Sequence, residues 1–439
     1  MEKREEISYI TLIRFFIPLG ILPMLIALNH TATNSALARL PKPELNIAIF
    51  TVVKSITGII NAPAIMSRQL FASVVDNAKS FLLTTKFAWS IITVLAFLIF
   101  LLPITPAGEY ILIEIMGLTP GLEVTLALNA FFVTFFLPFV VLFRNMFHGM
   151  LTALKNTKLI LPGTFFRLFS LAVILWWAVE TQKLSGVMAG SISWVFGIFI
   201  EGMFVYYLIR KNYGKIINTT KKMPKKNIGS LNIKSLFKFY LPLSLMISLT
   251  MFFQPLIQSG IARSFSPVRS LAVYGLTWTM ITFFIGPLKM LNQLPIVYVE
   301  KIKSSNWTKV RNFSIFVGLL ITIVIILFSL SSFGEFILIN LIGVSKDIAK
   351  RVQFSALSFS LFPLVRAFRE SYWGVLMNRQ KTNLIGTAKT VNLFILSAAL
   401  VIGFGYINPI MVLEPAFIGG LAFTVGEITE SLIIYYYTS

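Results

Sequence analysis

Long apolar stretches separated by short polar connections dominate this chain. A helix that crosses a bilayer needs about 20 consecutive, mostly apolar residues. Twelve stretches meet that requirement, near 9–36, 45–66, 86–105, 124–147, 160–180, 185–209, 237–262, 271–299, 312–331, 353–377, 384–405 and 412–437. They predict an all-α polytopic membrane protein. A further apolar piece at 336–344 is too short to span and is read as re-entrant or interfacial. The first stretch runs well past the length of a signal-peptide core and has no clean small-residue cleavage site, so no cleaved leader is expected.

Composition agrees. Of 439 residues, 56% are hydrophobic and 13% charged, with a mean hydropathy of +0.82; soluble domains carry roughly 25% charged residues. The absence of cysteine excludes a disulfide scaffold. The net charge of +21 would suggest nucleic acid in a soluble protein, but here the bases cluster in alternate connections. The segment 210–238 holds nine of them and no acid, and Lys79, Lys86, Lys155, Lys158, Arg379 and Lys381 follow the same alternation, as do the bases from Lys301 to Arg311. The connections between are poorer in Lys and Arg. By the positive-inside rule both termini and the 210–238 linker are cytoplasmic, in a cell (inner or plasma) membrane, and no nucleic-acid partner is expected.

The two halves of the sequence match. TLIRFFIPLG at 11–20 aligns with SLFKFYLPLS at 235–244, an offset of 224. The same offset pairs Ser35 with Ser259, Arg39 with Arg263, Pro63 with Pro287, Gln69 with Gln293 and Asp76 with Glu300. Pro138, Arg144 and Gly149 meet Pro363, Arg369 and Gly374 at offset 225; Gly190, Gly197 and Glu201 meet Gly419, Gly426 and Glu430 at offset 229. Chance does not produce a colinear series with a slowly drifting offset. Each repeat holds six spans, an even number, so the halves are parallel repeats. The expected division is an N-terminal six-helix bundle at 1–210, a basic linker at 211–235 and a C-terminal six-helix bundle at 236–439.

Two parallel six-helix bundles resemble the multidrug/oligosaccharidyl-lipid/polysaccharide (MOP) exporter superfamily, with its MATE-like fold. Within it, LIRFFIPLGI at 12–21, LPFVVLFRNMFHGML at 137–151 and AVYGLTWTMITFFIGP at 272–287 are similar to segments of the progressive ankylosis family. That family has Asn-Arg-Gly near the end of its first helix; here Ser35 follows Asn34 and the nearest arginine is Arg39. The resemblance implies an alternating-access transporter whose substrate class is pyrophosphate and other organic or phosphorylated anions.

Ionisable side chains inside a membrane cost several kcal/mol unless paired or hydrated, so each is a functional candidate by default. Arg14 and Lys238 lie one turn into their spans and are read as snorkelling to the interface. Arg39 and Arg263, with Asn34 and Gln258 about one turn away, form a candidate polar ring near the outer mouth. Interfacial anchoring accounts for that ring equally well. Lys54 is roughly mid-span, and its repeat mate is Trp278. Arg366 and Arg369 share a helix face with Glu370, which compensates one of them. Lys54, Arg39, Arg263, Arg366, Arg369, Asn34 and Gln258 are therefore the expected substrate-binding residues. The membrane carboxylates are Glu201, Glu370, Glu427 and Glu430. Of these, Glu201, Glu370 and Glu430 are expected to couple or compensate charge, Glu201 and Glu430 beside bases such as Lys54. Asp76 and Glu300 are candidate gates. His148 is read as packed rather than as a proton relay.

The chain has no phosphate-binding Gly-x4-Gly-Lys-Ser/Thr loop, no His-Glu-x2-His and no nucleophile elbow, so it is not expected to be an enzyme or to carry a cofactor or metal. The expected function is a secondary-active exporter of a phosphate- or carboxylate-bearing molecule, since Arg and Lys are natural ligands for such groups. It is read as a monomer whose partners are that anionic or lipid-linked substrate and membrane lipids. The alternatives are a flippase for a lipid-linked saccharide or phospholipid, a cationic-drug exporter of the same superfamily, and a non-transporting membrane scaffold, which has no reason to bear buried charges.

Overall fold

The computed structural model describes residues 7–154, 156–223, 231–264, 266–299, 304–378, 382–407 and 413–438. In chain order the helices are α1 (Tyr9–Leu37), α2 (Pro43–Val74), α3 (Ala78–Ile104), α4 (Pro106–Tyr110), α5 (Leu122–Thr134), α6 (Leu137–Ala153), α7 (Ile160–Thr181), α8 (Gly186–Tyr213) and α9 (Ile216–Lys221). They continue with α10 (Ile233–Ile261), α11 (Pro267–Phe284), α12 (Gln293–Tyr298), α13 (Ser305–Leu330), α14 (Ser332–Phe336), α15 (Lys346–Leu357), α16 (Phe362–Asn378), α17 (Thr382–Ile402) and α18 (Pro415–Thr438). The described residues contain no strand.

Among the described residues, ten helices are long and apolar enough to cross a membrane, or eleven if α11 and the following Gly286–Tyr298 segment, bent by 52°, form one span. The chain is thus a multi-pass membrane protein. The expected span at 353–377 is not among them, because the structure divides it between α15 and α16 and its second part carries Arg366, Arg369 and Glu370. The equivalent break in the first repeat separates α5 from α6. Each break precedes a proline in the first turn of the next helix, Pro138 or Pro363, where the missing N–H is not needed. The 336–344 piece lies in a short apolar helix, Ser332–Ile342, followed by a left-handed glycine at Gly343.

Contacts group the chain into two compact units, one of residues 1–35 and 256–439 and one of residues 36–255. The helix that opens each half is therefore grouped largely with helices of the other half. In the first unit α1 packs on α11–α13. Phe15 meets the Tyr298 ring at 5.4 Å and Phe16 the Phe313 ring at 5.6 Å. A Cβ on Gly20 would lie 3.1 Å from Pro287 Cβ. In the second unit Tyr240 of α10 is buried, lies edge-on to Phe87 at 5.9 Å, and donates to the Pro63 carbonyl at 2.5 Å. Large apolar side chains such as Val94, Phe97, Phe169, Trp176 and Leu327 remain exposed, as helices facing lipid require.

Candidate functional site

Among the described residues, each unit contains one buried ionic node. In the second unit, Arg144 of α6 donates through Nη1 to Glu201 Oε2 of α8 at 3.3 Å, and Arg167 Nη1 of α7 reaches the same oxygen at 3.4 Å. Thr164 donates to Glu201 Oε1 at 3.3 Å, and His148 Nε2 lies 3.6 Å from that oxygen. Arg144 also donates to Asn145 Oδ1 at 2.9 and 3.1 Å, while the Asn145 amide donates to the carbonyls of Ala64 and Ile65 in α2. Arg68 of α2 is exposed, donates to Thr152 Oγ1 at 3.2 Å, and lies within electrostatic reach of Arg144 and Glu201.

In the first unit, Arg369 of α16 pairs with Glu427 and Glu430 of α18 and donates to Glu370 Oε1 at 3.1 Å. Lys389 of α17 reaches Glu430 Oε2 at 2.8 Å and Glu427 Oε1 at 3.4 Å, and Asn392 donates to the same two carboxylates at 2.6 and 3.2 Å. Arg366 Nε lies 3.3 Å from Glu370 Oε1. Asn292, just before α12, donates to Glu370 Oε2 at 3.1 Å. The Arg369 guanidinium stacks over Trp373 at 4.8 Å. Arg369, Glu370, Lys389, Glu427 and Glu430 are all buried, and the node is balanced, with Arg366, Arg369 and Lys389 set against three carboxylates.

The two nodes are repeat copies. At offset 225, Arg144, Asn145, Thr164 and Arg167 become Arg369, Glu370, Lys389 and Asn392; at offset 229, Glu201 becomes Glu430. Even the close helix approaches coincide. A Cβ on Gly197 would sit 3.3 Å from Arg167 Cγ, and one on its mate Gly426 only 2.2 Å from Asn392 Oδ1. What differs is the charge balance. In the second unit Arg144 and Arg167 share the single carboxylate of Glu201.

These contacts correct several expectations. Arg369 is not a bare cation awaiting a ligand, because Glu427 and Glu430 supply the further carboxylates its burial demands. Glu201 does not offset Lys54; it holds Arg144 and Arg167. Lys54 has no ion pair among the described residues and lies 5.9 Å from the Phe50 ring centroid. Asn34 is not part of an open ring, since it is buried and donates to Thr279 Oγ1 at 2.9 Å; Gln258 is buried too. Arg263 is exposed and turns back onto Ser259, at 2.7 Å from its carbonyl, and Arg39 is exposed in the turn after α1. Asp76 accepts from Asn77 and from Ser80, at 2.6 and 2.9 Å, within the capping box of α3. Glu300 lies outside the described residues.

Comparison with known proteins places this geometry. Residues 225–438 match the family model described as progressive ankylosis protein (ANKH). No curated protein matches the chain in sequence. Among solved structures, an inward-facing multidrug resistance MATE family transporter superposes with a TM-score of 0.69 at 13% identity, covering 95% of each chain. The lipid II flippase MurJ in an inward closed conformation gives 0.66 at 12% identity, over 95% of this chain and 87% of that one. A MOP superfamily transporter from Pyrococcus furiosus, described as having a binding pocket of reverse polarity, gives 0.63 at 14%, over 99% and 98%. The chain has the MOP fold. Its C-terminal half carries the progressive ankylosis match, and its fold is the one seen in the MATE transporter and in MurJ.

Within this MOP fold the expected residues divide. Arg366, Arg369, Glu370 and Glu430 are brought together in one node, whereas Glu201 belongs to the other. Five residues without an expected role join them: Arg68, Arg167, Lys389, Asn392 and Glu427. Extending offset 225 through the fifth span of each repeat finds three of these, because Thr164 and Arg167 align with Lys389 and Asn392. Lys289, in the turn Gly286–Met290, also lacked an assigned role. It is exposed and lies within electrostatic reach of Arg366 and Glu370.

Proposed function

We propose that this protein is a secondary-active, alternating-access transporter that exports a phosphate- or carboxylate-bearing molecule across the cell membrane, with both termini cytoplasmic. The observation that carries the reading is the charge imbalance of the second unit. Arg144 and Arg167 share one carboxylate, exposed Arg68 stands beside them, and Lys54 has no acid among the described residues. Surplus positive charge in a low-dielectric site favours a negatively charged guest. A negative-inside membrane potential drives an anion outward with about 2.3 kcal/mol per charge per 100 mV, so a source such as ATP is not required. The described carboxylates Glu201, Glu370, Glu427 and Glu430 are all engaged by bases, which argues against a site for cationic drugs.

A lipid-linked saccharide presents the same phosphate chemistry, and the superposition on a lipid II flippase keeps that cargo as the second reading. Flux from proteoliposomes loaded in turn with pyrophosphate, citrate, a nucleotide, a lipid-linked sugar and ethidium separates the readings. Potential-dependent efflux of a soluble anion supports the proposal. Movement of the lipid-linked sugar alone establishes the flippase, and movement of ethidium alone overturns both.

A further inference from the structure

Lys54, Gly58, Asn61, Ile65 and Arg68 are spaced four, three, four and three residues apart and so fall on one face of α2. Lys54 and Arg68 stand fourteen residues apart, about 21 Å along the helix. The face is open. A Cβ on Gly58 would meet no atom within 4 Å, Lys54, Gly58 and Ile65 are partly exposed, and Arg68 is exposed. Lipid cannot be what it faces, because a lysine, an asparagine and an arginine turned to hydrocarbon would each cost several kcal/mol. Nor is α2 a lipid-facing helix. It is the most enclosed of the spanning helices, with 72% of its apolar window buried against 33% in α3. The buried Asn61 Oδ1 on the same face has no hydrogen-bond donor among the described residues.

The repeat sharpens the point. Trp278, the mate of Lys54, fills its position with an aromatic cluster, at 5.0 Å from the Phe423 ring and 5.9 Å from Phe359. The fold therefore accommodates an apolar ring at this register, and an ammonium group is not needed to build it. Lys289, the mate of Ile65, puts a base on the corresponding face of the first unit, again exposed.

We infer that this face of α2 is a hydrated cationic track with two successive anion stations, one at Lys54 and one at Arg68 beside Arg144. The inference rests on the anion-transport reading and adds the path: a phosphate or carboxylate group passes from one base to the next along a single helix of the second unit.

The chain contains no cysteine, so single cysteines report cleanly. Gly58→Cys, with Ile65→Cys as a second variant in case the first fails to fold, leaves both bases in place. In proteoliposomes of zwitterionic lipid, a sulfonate-bearing thiosulfonate should modify either cysteine about ten-fold faster than its trimethylammonium counterpart, each rate normalised to a free thiol. The preference should vanish on adding Lys54→Gln with Arg68→Gln. Val94→Cys, on the exposed face of α3, should not react with either reagent. Soluble pyrophosphate should protect both cysteines; protection that requires phosphatidic acid in the bilayer assigns the track to a lipid headgroup instead. No reaction, equal rates, or protection by neither anion overturns the inference, whatever the flux assay gives. An anion-selective, protectable track in a protein that moves no anion leaves the track standing and overturns the transport reading.

Discussion

Arg144 and Arg369 occupy the same register, each seven residues after the first residue of its helix, and each meets the repeat-related glutamate, Glu201 at 3.3 Å and Glu430 at 3.4 Å. Internal duplication has thus kept a buried ion pair while letting its surroundings diverge. One copy gathered two more carboxylates and became balanced. The other retained a second arginine.

The balanced copy should be the structural one. Removing one partner of a buried pair leaves the other charge uncompensated, which costs about 3–5 kcal/mol. Arg369→Ala should therefore lower the thermal unfolding midpoint in detergent strongly. Arg144→Ala should lower it less, because the Arg144 side chain is 17% exposed and Arg167 still holds Glu201. Equal losses in the two variants would contradict this division.

Glu201→Gln separates stability from binding. The amide cannot balance Arg144 and Arg167, so the fold should weaken. The local charge rises by one, so affinity for a phosphate- or carboxylate-bearing solute should rise. A lower half-saturation concentration in the surviving folded protein, measured by tracer flux or calorimetry, is the expected result. An unchanged or higher value would show that Glu201 does not compete with the cargo for these arginines.

Much of this was legible in the sequence. Hydropathy located the spans other than the one expected at 353–377, and the offsets linked Arg144 to Arg369 and Glu201 to Glu430. What could not be read was which side chains meet. The breaks at 135–136 and 358–361 restart the helices, so Arg369 stands at the same register of α16 as Arg144 does of α6 rather than within an unbroken 353–377 span. Lys389 and Asn392 escaped because their mates, Thr164 and Arg167, differ in residue type. A search for repeated identities passes over positions where the geometry is conserved and the chemistry is not.

The glycine mates offer a sharper comparison. An added Cβ at Gly426 would lie 2.2 Å from the buried Asn392 Oδ1, while at Gly197 it would lie 3.3 Å from Arg167 Cγ. Asn392 is fixed by two carboxylates; the Arg167 stem has more freedom. Gly426→Ala should therefore destabilise by about 1–3 kcal/mol, as overpacking does, and Gly197→Ala by less. Parallel denaturation curves of the two variants decide it.

Arg366 and Arg39 were both candidates for the cargo site, and the structure separates them. The Arg366 side chain is 16% exposed, adjoins Glu370 and lies near exposed Lys289. Its removal leaves Glu370 still held by Arg369 and Asn292, so the node survives without it. Arg366→Gln should accordingly preserve folded protein and raise the half-saturation concentration for the anion about ten-fold, the loss of one charge-assisted contact worth roughly 1.4 kcal/mol. Arg39 is exposed in the turn that follows α1, outside either node. Arg39→Gln should leave flux within about two-fold of the parent, as exposed charges contribute about 0–1 kcal/mol. If Arg39→Gln abolished flux while Arg366→Gln left it intact, the cargo would be gripped at the helix ends rather than beside the buried nodes.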